Sequence, residues 1–159
     1  MNLAPIVLFV YNRPWHTRQT VKALQKNDLA NESELFIFSD GTKNEMAVKD
    51  VQEVRDYIKT IKGFKNVKII ERDKNFGLAT SIISGVTDII NKFGKVIVLE
   101  DDLVSSNKFL IFINQALDWY ANEKRIFSVS GYNFPIQVPS TYKYDGYCSY
   151  RSMSWSWCL

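Results

Sequence analysis

The segment Lys-Val-Ile-Val-Leu-Glu-Asp-Asp-Leu, residues 95–103, constrains the fold of this chain more than any other. Four successive apolar residues, Val96, Ile97, Val98 and Leu99, leave no polar face to show to water, so the segment predicts a strand covered on both sides. Such a strand lies in the middle of a sheet. In an open α/β sheet, ligands collect outside the carboxyl ends of the strands, which is where Glu100, Asp101 and Asp102 emerge. Three ionised carboxylates so close together repel one another, and the arrangement is costly unless a cation or a set of hydrogen-bond donors offsets it. A hard divalent cation held together with a substrate's phosphates meets that need. Acidic residues are also favoured ahead of a helix by its dipole, and a helix is predicted to begin near Ser105 or Ser106. Taken alone, the triplet therefore reads either way.

The rest of the chain alternates strand and helix, which predicts an α/β fold: a mostly parallel sheet with helices on both faces. Residues 6–10 make the first strand, Pro14 suits the start of the next helix, and Val21 and Leu24 face the sheet. Residues 35–38 form a second strand that closes in Ser39-Asp40-Gly41. Over residues 45–62, Val48, Val51, Val54, Ile58 and Ile61 keep helical spacing, with Gly63 as the stop. Val67, Ile69 and Ile70 supply a third strand, followed by the polar loop from Arg72 to Asn75 and then Gly77. Leu78, Ile82, Val86, Ile89 and Phe93 trace one face of a further helix, ended by Gly94. Phe109, Ile113, Ala116, Leu117 and Tyr120 trace another, and residues 126–129 read as a strand.

Beyond Gly131 the period is lost among Tyr, Pro, Ser and Trp. Residues 1–131 are thus expected to form the α/β core, and 132–159 to begin an aromatic-rich region of the same domain. Tyr132, Phe134, Tyr142, Tyr144, Tyr147, Tyr150, Trp155 and Trp157 read as core and rim aromatics, a set that also suits the C–H faces of sugar rings. Trp155-Ser-Trp-Cys-Leu159 reads as the middle of a buried element, so the expectation is that the chain stops inside a larger fold.

Composition removes several classes. With 159 residues and 46% apolar content, the chain can close one real core. Its 20 basic and 17 acidic residues give +3, scattered rather than gathered in a stripe, which argues against nucleic acid as a partner. Cys148 and Cys158 have no metal-ligand spacing and are too few for a disulfide framework, so free thiols in a reducing compartment are expected. The first apolar run is interrupted by Pro5 and lacks a basic leader. The expected location is cytoplasmic, with peripheral membrane attachment left open. There is no Walker loop, no G-x-G-x-x-G and no zinc signature. His16, beside Trp15 and Thr17 and without a Ser or Cys partner motif, reads as solvated or capping.

Four loops leave the carboxyl ends of four successive strands, and each carries polar groups: Asn12 and Arg13, Asp40, the stretch from Asp73 to Asn75, and the acidic triplet. At one sheet edge they describe a pocket. A planar base finds partners in Asn12 and Asp40, a diphosphate meets Arg13 and the helix start at Gly77, and a cation sits on Asp102.

The ordered set VLFVYNRP, FSDG, NFGLATSI, VIVLEDDL and SVSGYN resembles the donor-binding half of GT-A glycosyltransferases over nearly the whole chain. The triplet and the following Ser-Val-Ser are similar to the type I N-acetylglucosaminyltransferases, and Asn75-Phe-Gly-Leu is similar to bacterial family 2 enzymes. The resemblance implies the nucleotide-diphospho-sugar transferase fold, an NDP-sugar donor (a UDP-sugar), Mn²⁺ or Mg²⁺ as cofactor, and inverting transfer to a saccharide or glycolipid acceptor. It places Asn12 and Arg13 at the nucleotide and its phosphates, Asp40 at the uracil edge, and Glu100 and Asp101 at the ribose and sugar. It makes Asp102 the direct metal ligand and Asn75 and Gly77 further donor contacts. The family's catalytic base follows an aromatic stretch resembled here by MSWSW, so the base is expected beyond Leu159. Asp145 is the only carboxylate after Gly131. The chain as given is therefore expected to bind donor, to transfer no sugar, and to self-associate as a homo-oligomer through uncovered aromatics.

Three alternatives are open. An NDP-sugar nucleotidyltransferase would carry a Gly-rich, basic loop after the first strand, whereas YNRPWH has no glycine. A non-catalytic module of the flavodoxin-like kind would place its acids after the first strand, which here ends in Asn-Arg. A donor-binding fragment without turnover differs only in what lies past Leu159.

Overall fold

Successive residues of a strand point to opposite faces, and in the first strand every one of them is apolar, which calls for cover on both sides. The computed structural model describes residues 2–133, 135, 137–144, 146–150 and 157–158 and provides that cover. Four strands run parallel: β1 (Ile6–Val10), β2 (Glu34–Ser39), β3 (Asn66–Glu71) and β4 (Ile97–Glu100). Two short strands complete the sheet, β5 (Val129–Ser130) and β6 (Trp157–Cys158), in the order β3-β2-β1-β4-β6-β5. β6 is antiparallel to both neighbours.

The two faces carry different residues of the same strands. Ile6, Leu8, Val10, Leu35, Ile37, Ile97 and Leu99 pack with helix α1 (Pro14–Gln25) through Val21 and Leu24. The same layer holds Val54 and Ile58 of α2 (Val48–Ile58) and Leu110 and Ile113 of α4 (Phe109–Tyr120). On the other face Val7, Phe9, Phe36, Phe38 and Val98 meet Val86 and Ile89 of α3 (Leu78–Phe93). The α/β sheet with helices on both faces is thus as expected. No helix among the described residues is long and apolar enough to cross a membrane.

Several boundaries differ from the sequence reading, each for a local reason. The helix expected over residues 45–62 opens as a 3-10 turn, Glu45–Ala47, capped by the Asn44 side chain, and its α-helical part stops at Ile58. Ile61 is still buried, but in the turn that follows, and Gly63 lies in that connection with φ 92. Val48 and Leu78 keep the helical period yet point to solvent. α4 begins at Phe109, not at Ser105 or Ser106, because its cap comes from elsewhere in the fold. Asn27, at the end of α1, accepts from the Leu110 amide at 3.0 Å and donates to Ser105 Oγ at 3.1 Å. The strand expected at 126–129 shrinks to Val129–Ser130, and Phe127 is exposed. Of the buried element expected at residues 155–159, Trp157–Cys158 forms β6, with Cys158 fully buried. Phe134, Asp145, Trp155 and Leu159 lie outside the described residues.

The strand order also positions a site. The chain lays β2 and then β3 on one side of β1, and afterwards places β4 on the other side. The crevice outside the carboxyl ends of β1 and β4 is therefore the topological switch point, where such sheets take their ligands. Phe9 stands opposite Glu100 in the ladder, so the segments just beyond these two residues flank that crevice.

Candidate functional site

At the switch point Arg13 leaves β1 and the acidic triplet leaves β4. The guanidinium bridges two carboxylates: Nη1 donates to Asp102 Oδ2 at 2.9 Å, and Nη2 donates to Asp101 Oδ1. Their surroundings differ sharply, since the Asp101 side chain is 3% exposed and that of Asp102 41%. Thr20, buried in α1, donates its hydroxyl to the Asp101 carbonyl at 2.9 Å and so fixes the loop to the helix that follows β1. Burial works against the charge of Arg13, yet the attraction and hydrogen bonds of Asp101 and Asp102 outweigh it and hold the guanidinium above its usual pKa. Burial, with Asp102 adding, raises Asp101 against the pull of Arg13 and the Tyr11 amide. Burial raises Glu100 as well, with Asp102 and Asp101 adding and Arg13 opposing. One guanidinium against three carboxylates leaves the crevice short of positive charge.

A second group forms where β2 and β3 end. Asp40 is 7% exposed, and its Oδ1 accepts from the amides of Gly41 at 3.0 Å and Phe76 at 2.9 Å. Its Oδ2 accepts from the Gly77 amide at 3.0 Å. A carboxylate offers about four acceptor positions, so Asp40 retains one for a ligand. Asn75 completes the clasp by donating to the Gly41 carbonyl at 2.8 Å. Gly41 is required here, because a Cβ would lie 2.4 Å from the Lys74 carbonyl carbon. Gly77 turns the chain into α3 with φ 75, a conformation that glycine adopts without strain.

Behind this clasp, Arg55 of α2 donates to the carbonyls of Arg72 at 2.7 Å and Asp40 at 3.3 Å, which ties the exits of β2 and β3 together. Arg72 in turn reaches Ser81 Oγ at 2.6 Å and Ser84 Oγ at 2.8 Å, with its guanidinium 4.5 Å above the Phe76 ring. The Tyr11 hydroxyl accepts from the Lys43 amide at 3.0 Å.

The predicted residues therefore fall into two groups along one sheet edge. Glu100, Asp101, Asp102 and Arg13 make one, and Asp40, Asn75 and Gly77 make the other. Asn12 is half-buried at the exit of β1, next to Arg13. Sequence reasoning missed Thr20 and Arg55. Thr20 carried a signal, being a polar residue at helical spacing with the apolar face of α1. Arg55, flanked by Val54 and Ile58, carried none beyond its place in the chain.

An open cleft of about 490 Å³ adjoins Asp102, lined by Leu103, Val104, Ser105, Ser106, Phe109, Gly131 and Tyr132. A second, of about 410 Å³, lies at the opposite sheet edge among Pro5, Glu34 and Phe93, away from both groups. No three side chains of His, Cys, Asp or Glu come together as a metal cage among the described residues. The donor set fits a different kind of site: one exposed hard oxygen ligand, Asp102, for a cation whose remaining positions are filled by phosphate oxygens and water. A guanidinium already stands against that carboxylate as a positive charge.

No family model matches the chain, and no curated protein matches it. Solved structures do. The chain is similar to the mannosyltransferase PcManGT from Pyrobaculum calidifontis in complex with GDP-Man and Mn²⁺, with TM-score 0.59 at 14% identity over 80% of this chain. The chain has a glycosyltransferase fold. It is similar as well to S. aureus TarS 1-349, with TM-score 0.55 at 16% identity over 75% of this chain. The longer TarS structure gives TM-score 0.53 at 14% identity over the same share. This chain spans 34% of the mannosyltransferase, 33% of TarS 1-349 and 20% of the longer TarS.

Proposed function

We propose that this chain is the donor-binding part of a glycosyltransferase, holding a nucleoside-diphosphate sugar across the β1–β4 crevice with Mn²⁺ or Mg²⁺ on Asp102. The observation that carries the reading is the bridge from Arg13 to Asp101 and Asp102 at the switch point of a fold shared with a structure holding GDP-Man and Mn²⁺. Support also comes from the charge imbalance, since three carboxylates against one guanidinium call for further positive charge.

In this reading Asp102 offers the exposed carboxylate to the cation, and Arg13 presents a planar fork of donors to the diphosphate. The cation, when bound, neutralises the charge that builds on the departing diphosphate. Glu100 stands on the ribose and sugar side, the buried Asp101 acts there by anchoring Arg13, and Asn12 stands beside the nucleotide. Asp40 keeps one acceptor position for a base N–H, which uracil offers at N3 and guanine at N1; UDP is the base-bearing ligand that the GT-A resemblance favours. The clasp of Asp40, Asn75 and Gly77 sets the loop that borders the base. The acceptor, a saccharide or glycolipid, meets the aromatic segment after Gly131, and inverting transfer takes its base from a carboxylate outside the described residues.

Calorimetric titration with UDP, GDP and their sugar conjugates, with and without Mn²⁺, tests this. Metal-dependent binding is expected, and Asp102→Ala should remove the dependence at a loss of about 2 to 5 kcal/mol, the scale for truncating one partner of a charge pair. Unchanged metal-dependent affinity in the variant, or no binding of any nucleoside diphosphate, would sink the assignment.

A further inference from the structure

Arg13 holds a position that a divalent cation would have to share. Its Nη1 lies 2.9 Å from Asp102 Oδ2, the carboxylate proposed as the metal ligand, while Nη2 is anchored on the buried Asp101. Two positive centres on one carboxylate repel strongly at that range. The two contacts are unequal in the freedom they allow. Asp101 is enclosed and needs a counter-charge to stay ionised, whereas Asp102 and Arg13 are both about two-fifths exposed, so the Asp102 contact is the one that solvent can replace. Planar guanidinium forks match phosphate oxygens as well as they match carboxylates.

We propose that Arg13 is a built-in counter-ion that guards Asp102 against free divalent cations and releases it only when a diphosphate arrives to take the guanidinium. The inference rests on the donor-site reading and deepens it by giving an order: cation and nucleotide enter together, not cation first. With a guanidinium already seated on Asp102, its exposed carboxylate does not take whichever divalent ion is abundant.

The test uses Mn²⁺ alone as the probe, with the free ion counted by its electron paramagnetic resonance signal. Arg13→Gln should bind Mn²⁺ at least about tenfold more tightly than the wild type, within the range usual for coupled sites. The gain should vanish in Arg13→Gln/Asp102→Asn. Because Arg13→Gln leaves the buried Asp101 without its partner, the variant should melt at a lower temperature, and Mn²⁺ alone should raise that temperature while leaving the wild type unmoved. Arg13→Lys keeps a charge near Asp101 but cannot span both carboxylates, so it should fold and bind Mn²⁺ more tightly than the wild type even if Arg13→Gln does not fold. Equal Mn²⁺ affinity in the wild type and Arg13→Lys overturns the proposal. A parallel titration of the wild type with UDP and GDP in Mn²⁺ reads the donor site itself, so failure there is distinguishable from failure of the counter-ion role.

Discussion

Replacing Asp40 by alanine removes three hydrogen bonds at once, and their environments set the size of the effect. The Gly41 amide is buried, so losing its partner costs about 1 to 3 kcal/mol as an unsatisfied donor. The amides of Phe76 and Gly77 are partly buried and regain water when the carboxylate is gone, which limits each to about 0.5 to 1.5 kcal/mol. The expected loss is therefore about 2 to 6 kcal/mol, a large share of the 5 to 15 kcal/mol typical of a domain. Asp40→Asn is the informative companion. Its oxygen still accepts from Gly41 and Phe76, but its NH₂ group faces the Gly77 amide, so only about 1 to 2 kcal/mol should go. Urea denaturation gives the two stabilities, and amide hydrogen exchange at residues 76 and 77 locates the loss. An alanine variant within about 0.5 kcal/mol of the wild type, the range of an inert surface change, with residues 76 and 77 exchanging as before, refutes the clasp.

The remaining expectations follow from single contacts. Gly41→Ala places a Cβ 2.7 Å from the Lys74 carbonyl oxygen, so the two loops must part, with a loss of about 1 to 3 kcal/mol in urea denaturation. Thr20→Val keeps the shape but leaves the Asp101 carbonyl unpaired, and about 1 to 2 kcal/mol of stability should go in the same assay. Of the two thiols, Cys148 is exposed, while burial pushes Cys158 up to about 12. A thiol reagent at neutral pH should therefore label one cysteine quickly and the other only in denaturant, and fast labelling of both would show that the β4–β6–β5 edge is open.

What was legible in the sequence is what periodicity and local chemistry carry. The apolar runs of β1, β2 and β4 announce strands buried on both faces, and Gly94 marks the end of α3 because a left-handed residue there needs no Cβ. The grouping of Arg13 with Asp101 and Asp102 follows from strand order, once β1 and β4 are neighbours. The start of α4 was not legible, because its cap is Asn27, which no local pattern links to Leu110. Nor was the state of Asp40 legible. A loop aspartate suggests a free acceptor, whereas backbone amides that the fold brings to it from the next loop take most of its capacity. Arg55 escaped notice because its partners are carbonyls, which every sequence possesses.

The Asn27 cap bears on the order in which the molecule assembles. A helix whose first turn is held by a residue 83 positions earlier gains little from its own ends, so α4 takes shape only after α1 has docked on the sheet. The link from Thr20 to the Asp101 carbonyl binds the acidic loop to the same event across 81 positions. Contacts of such long sequence separation are slow to close, and synthesis delivers β1 and α1 well before their partners emerge. The crevice is thus the late-forming end of the domain, and variants that weaken its ties should speed unfolding more than they slow folding.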